Sequence, residues 1–190
     1  MSKDSPLIPS QPGRIVSHVT DMNENTDAIL DAFHAAMRHV SSTVYAITTG
    51  HGGARHGIIA TAVSSLSFDP PSLLVCINRS ASLHEPLASV DTFCVNVLGL
   101  GNRDVADQFM LKQAGEERFA IGDWEEHHGV PVLANAQSSF VCKTAHSHEF
   151  GTHTIFIGEL IAASHRDNAT PLTYYDRRYI DISNAPDQPG

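Results

Sequence analysis

The chain is short of charge, of cysteine and of long apolar runs. Only 17% of its 190 residues are Asp, Glu, Lys or Arg, against about 25% in an ordinary globular chain, while 42% are apolar. That balance excludes disorder and supplies one sizeable core. Basic residues are scarcest: 12 Lys and Arg face 21 Asp and Glu, a formal net charge of −9. The resulting field repels polyanions and argues against a nucleic-acid partner, although local amides and hydroxyls can still hold a small phosphate. Cys76, Cys94 and Cys142 are odd in number and widely spaced, which fits neither a disulfide framework nor a Cys-x-x-Cys metal site and points to a reducing cytoplasm. No stretch approaches the roughly 18 apolar residues of a membrane helix, and Met1 to Val19 lacks a signal peptide's apolar run. A soluble protein without membrane association is expected. No G-x-G-x-x-G follows a strand, and there is neither a P-loop nor a G-x-S-x-G elbow.

Local patterns supply the fold. Residues 1–22 carry Pro6, Pro9, Pro12 and several serines and read as a flexible arm; 184–190 read as a tail, leaving 23–183 as one domain. Ile29, Leu30, Phe33, Ala36, Met37 and Val40 recur at three- and four-residue intervals, so the spacing predicts a helix over 26–40. Residues 83–89 and 102–114 also read as helical. Strands are expected at 43–49, 57–62, 72–78, 92–98, 138–144, 154–163 and 172–175, where β-branched and aromatic residues cluster between turn signals. At least six strands with too few intervening helices exclude a repeating βαβ sheet. The expected class is mainly β, a closed or nearly closed antiparallel barrel with peripheral helices.

Candidate chemistry concentrates between Gly57 and Ser82. Thr61, Ser64, Ser65 and Ser67 offer hydroxyls, small Ala60 and Ala62 permit close approach of a flat ligand, and Asn78, Arg79, Ser80 and Ser82 place donors at a strand end. This combination suits an anion or nucleotide cradle, yet Ser-rich segments are more often plain turns, and the residues alone leave both readings open. The 12 histidines show no H-E-x-x-H or Cys/His ligand spacing, so no functional metal is expected, although His146 and His148 would share one strand face. Phe109, Phe119 and Trp124 read as a satellite core.

Taken in order, Phe33-His-Ala-Ala-Met-Arg-His-Val40, Ser64-Ser-Leu-Ser-Phe-Asp-Pro-Pro71, Ile77-Asn-Arg-Ser80, Phe93-Cys-Val-Asn-Val-Leu98, Glu117-Arg-Phe119 and Gly151-Thr-His153 resemble the short-chain flavin reductase family over roughly residues 30 to 180. The resemblance implies an antiparallel, Greek-key split β-barrel that binds FMN or FAD, works as a homodimer and reduces flavin with NADH or NADPH for a partner monooxygenase. By the same resemblance Thr61, Ala62 and Val63 lie near the flavin ring and Ser65 near its ribityl-phosphate arm. Asn78, Ser80 and Ser82 serve the phosphate end, Arg118 and Phe119 close the pocket, and His153 meets the nicotinamide nucleotide. Two positions depart from the family pattern: Ile59 replaces a usual Thr, and Thr152 replaces the usual middle residue of the histidine motif. Alternatives within the same fold are a flavin-dependent corrinoid reductase and a non-enzymatic flavin-binding protein.

Overall fold

A computed structural model describes residues 26–111, 115–167 and 170–183, so the expected arm at 1–22 and tail at 184–190 lie outside the described residues. The chain divides into two units, one ending at Met37 and one beginning at Arg38. The first contributes α1 (Thr26–Met37), with Asp27 in its first turn, where the positive end of the helix dipole favours a carboxylate. The helix stops three residues short of the predicted end, before the β-branched and serine residues that follow.

The second unit is mainly β. Its strands are β1 (Ser42–Thr43), β2 (Tyr45–His51), β3 (Ala54–Ala60), β4 (Val63–Phe68), β5 (Pro71–Asn78), β6 (Thr92–Val97), β7 (Trp124–His127), β8 (Val130–Leu133), β9 (Ser138–Phe150), β10 (His153–His165), β11 (Thr173–Tyr175) and β12 (Arg178–Ile180). Two helices, α2 (His84–Ala88) and α3 (Arg103–Met110), and two short 3-10 helices at Leu100–Asn102 and Gly115–Ala120 connect them. Seven strands form one antiparallel sheet in the order β3-β2-β6-β9-β10-β5-β4. Within it β6, β9 and β10 are successive neighbours and β5 returns beside β10, the arrangement of a Greek key.

The sheet is strongly curled, and topology alone requires it. In a flat sheet the edge strands β3 and β4 would stand six spacings apart, about 29 Å. They are joined only by Thr61 and Ala62, a connection that spans at most about 11 Å from Ala60 to Val63. The two edges must therefore meet at this seam, as the expected split barrel demands. Inside the curl lie Ile47, Val75, Ile77, Leu83, Phe93, Val95 and Phe156, all essentially inaccessible. The Phe93 ring packs against the backbone of Gly158, where a β-carbon would stand 2.6 Å from Phe93 Cζ. A second cluster, Val44, Ala46, Leu98, Val105, Ala106, Phe109, Phe119 and Leu133, packs α3 and the second 3-10 helix against the sheet.

Candidate functional site

An open groove of 510 Å³ runs along the outside of the seam, lined by Ile58 to Ala62, Cys76, Asn78, Ala81, the end of α3, Arg118 and His153. Strand alternation builds its floor. Val75 and Ile77 point into the barrel, so Cys76 and Asn78 point out. At the turn between β3 and β4, Val63 N–H donates to Thr61 O (3.1 Å) and Cys76 N–H to Ala62 O (2.9 Å). Among the described residues the N–H groups of Thr61 and Ala62 have no backbone acceptor, which leaves two donors on a floor of small side chains.

Polar groups gather at the rim. Ser80 N–H and Oγ–H both donate to Asn78 Oδ1, at 2.9 and 2.8 Å, an Asx turn that fixes the end of β5. Arg118 Nη1 donates to Gly57 O (2.5 Å) and to Ser82 Oγ (3.0 Å), holding a guanidinium over β3. His153 opens β10 directly opposite Asn78, and its Nδ1 shares a hydrogen bond with Thr152 Oγ1 at 2.9 Å. The preceding turn is braced by Arg79: its N–H donates to Thr152 O (2.9 Å) and its Nη2 to Gly151 O (2.8 Å), while Nη1 pairs with Glu149.

Six of the residues singled out in the sequence thus line one groove: Ala60, Thr61, Ala62, Asn78, Arg118 and His153; Ser80 and Ser82 join them through Asn78 and Arg118. Val63 and Ser65 do not. They pair with Val75 and Leu73, so they share the inward face of β5 and line a separate 390 Å³ hollow with Tyr45, Phe68 and Phe140. Phe119, expected to close the pocket, does not line this groove. It is 4% exposed, with its ring 5.2 Å from Phe109 and 5.0 Å from Trp124, and Arg55 stacks over it at 4.7 Å. That triad is the satellite core read from the sequence. Arg55 also pairs with Glu116, whose carboxyl it holds below the usual glutamate range. The end of α3 also lines the groove through Phe109, Met110 and the following Leu111; Phe109 read in the sequence as core, and Met110 and Leu111 carried no signal of a site.

Burial pushes the Cys142 thiol up to about 12 and raises the Cys94 thiol further, with Cys142 adding to the rise at Cys94; Cys76 is half-buried on the groove floor. His146 and His148 do share a face of β9, opposite Ile157 and Ile155, but no metal-holding group of three or more His, Cys, Asp or Glu exists among the described residues. None of the described helices is long and apolar enough to cross a membrane.

Comparison with known proteins bears on this geometry. Residues 37–183 match the family described as flavin reductase like domain. An FMN reductase (NADH), RutF, of Pseudomonas syringae pv. syringae is 44% identical over 149 residues, 78% of this chain and 84% of the relative. The reductase component of an FADH(2)-dependent resorcinol hydroxylase from a Rhizobium species is 39% identical, covering 80% of this chain and 87% of that protein. Among solved structures, the NADH:FAD oxidoreductase SgcE6 of Streptomyces globisporus, in complex with NAD and FAD fragments, superposes with a TM-score of 0.76 at 26% identity, covering 83% of this chain and 95% of that one.

Proposed function

The chain belongs to the flavin reductase like family, and we propose on that premise that it is an NADH-dependent flavin reductase whose reduced FMN or FAD serves a separate monooxygenase component. The relatives' names support this reading: one is an NADH-dependent FMN reductase and another the reductase half of a hydroxylase. The observation that carries it is the seam groove, with its small-residue floor, two unpaired backbone donors and a cationic rim at Arg118.

That donor set fits a flavin. A tricyclic flavin ring has two flat faces and an edge rich in acceptor atoms, and the groove offers Ala60, Ala62 and Ala81 for one face and the Thr61 and Ala62 N–H groups for the edge. Arg118 keeps a positive charge beside the ring, and Ser82 and the Asn78–Ser80 turn supply hydroxyl and amide groups toward a phosphate. Flavin, when bound, supplies the hydride-accepting chemistry; the protein contributes position and electrostatics. His153 stands at the open side with its ring oriented by Thr152, a position suited to holding the nicotinamide nucleotide rather than to proton transfer. The two-component reading requires no contact with the monooxygenase, since reduced flavin can diffuse. The three free cysteines suit the reducing cytoplasm in which NADH is available. Homodimerisation, as the family resemblance implies, is part of the proposal.

The test is anaerobic NADH oxidation followed at 340 nm with the purified chain and added FMN or FAD. Turnover with either flavin, faster with NADH than with NADPH, is expected. No oxidation of either nucleotide with either flavin refutes the reading, and flavin binding without turnover would leave only a binding protein.

A further inference from the structure

One conspicuous side chain beside the groove is left without a role. Phe150 closes β9 and is 78% exposed; of the other exposed phenylalanines among the described residues, Phe68 (92%) lines the separate hollow beside β4 and Phe33 (58%) belongs to α1, whereas Phe150 is paired with a residue of the groove. Its register is informative. Phe150 pairs with His153, and His153 pairs with Asn78, so three residues on three adjacent strands stand in one row on one face. The row starts in the groove at Asn78 and ends at Phe150, about 10 Å away at two strand spacings. The backbone carrying it is fixed: Gly151 takes φ +56° in the two-residue turn, and Arg79 holds the turn by bonds to Gly151 O and Thr152 O. An exposed aromatic on a braced hairpin loses little entropy when something stacks on it.

We propose that Phe150 is the stacking platform for the adenine of a dinucleotide whose reactive ring lies in the groove. The flavin-reductase reading supplies the two sources of that adenine, NADH and FAD, and the proposal rests on it for those identities alone. Stacking is sequence- and ligand-tolerant chemistry that needs only two flat faces, and the row places one at the reach of a pyrophosphate linker.

The experiment compares full-length wild type with Phe150→Ala, Phe150→Leu and Phe150→Trp. Steady-state KM is measured for NADH and for reduced nicotinamide mononucleotide with FMN as acceptor, and for FAD and FMN at saturating NADH. Loss of one stack is expected to raise KM for an adenine-bearing ligand about five- to thirtyfold in the Ala and Leu variants, with Phe150→Trp near wild type. A shift for NADH but not for the mononucleotide assigns the adenine to NADH; a shift for FAD but not FMN assigns it to FAD. Equal shifts with and without adenine, no shift at all, or Leu matching Phe would overturn the platform. So would a changed oligomeric mass by light scattering, which would mean that a second copy covers Phe150. A readout independent of turnover is quenching by ADP of the added indole fluorescence in the Phe150→Trp variant, over the Trp124 background. Absent quenching counts against the platform even where wild type turns over, whereas quenching without wild-type turnover would sink only the flavin-reductase reading.

Discussion

Gly57→Ala joins the packing of the fold to the chemistry of the groove, and its outcome follows from two opposing magnitudes. The substitution stiffens the unfolded chain, which by itself stabilises by about 0.4–1 kcal/mol. Against that, a β-carbon at Gly57 would stand 2.8 Å from Phe109 Cε1, 3.1 Å from Ile47 O and 3.1 Å from Thr48 Cγ2. Ile47 and Thr48 belong to β2, where Thr48 pairs with Gly57 itself, so they cannot retreat without breaking the β2–β3 ladder. Only the Phe109 ring can move, and it is wedged against Phe119 and Trp124 at centroid distances of 5.2 and 5.5 Å. Overpacking of this kind typically costs about 1–3 kcal/mol, so the steric effect wins by up to about 2.6 kcal/mol and melting should fall by up to about 10 °C. The disturbance should also reach the site, because Phe119 and Arg118 share one 3-10 helix and Arg118 is anchored on Gly57 O. Flavin affinity is expected to weaken about fivefold, equivalent to about 1 kcal/mol. Circular-dichroism melting and flavin-fluorescence titration read the two effects separately. Gly158→Ala, whose β-carbon would stand 2.6 Å from Phe93 Cζ and 2.7 Å from Cys142 Cβ, is the control: at least as destabilising, with no effect on flavin affinity in the folded fraction. Melting of Gly57→Ala at or above the wild-type temperature would refute the steric argument, and an unchanged flavin affinity would refute the coupling.

Thiol labelling should find Cys76 alone reactive in the native protein and all three cysteines after unfolding, because burial holds the Cys94 and Cys142 thiols protonated. Added FMN should slow the Cys76 reaction, and full labelling of three thiols without denaturant would contradict the packing. Asn96→Ala should lower stability by at least about 3 kcal/mol in urea unfolding, since buried Asn96 donates to Ala46 O and Thr48 Oγ1 and accepts from Leu133 N–H and Ser139 Oγ, all of which lose a partner together. A loss below about 1 kcal/mol would show that water replaces the network.

What the sequence made legible was set by burial. The interior strands β2, β5 and β6 read clearly because their β-branched residues face the core. The hairpin β7–β8 did not. Trp124-Glu-Glu-His127 is largely exposed, and Pro131 in β8 argues against a central strand; in a two-stranded ribbon its missing N–H is tolerated, and its carbonyl accepts from Thr48 Oγ1 at 2.6 Å. The turn between them was readable in principle, since His128-Gly129 takes positive φ at both positions, the signature of a type I′ hairpin. Asp176-Arg177 makes the same turn before β12 with neither glycine nor asparagine, and Asp176 alone is a weak signal for it. The far half of β9, from His146 to Phe150, is polar on both faces and exposed, so periodicity ended its prediction at Thr144 and left Phe150 unread.

Position in the site followed a different logic from residue type. Thr61 and Ala62 carry the groove because they are where a seven-stranded sheet turns back on its own edge, a fact about strand order that no local window contains. The same register explains why Val63 and Ser65, one and three residues further on, face the other way: pairing with Val75 and Leu73 commits them to the interior side. An edge is ordinarily a liability, a row of unpaired donors open to any passing strand. Here the unpaired stretch is two residues long, floored by alanines and roofed by the end of α3 and by Arg118, which is too short and too crowded for another strand yet open to a flat molecule. Closing the barrel completely would satisfy Thr61 and Ala62 and abolish the groove, so the break in hydrogen bonding and the capacity to bind a planar ligand are one structural feature.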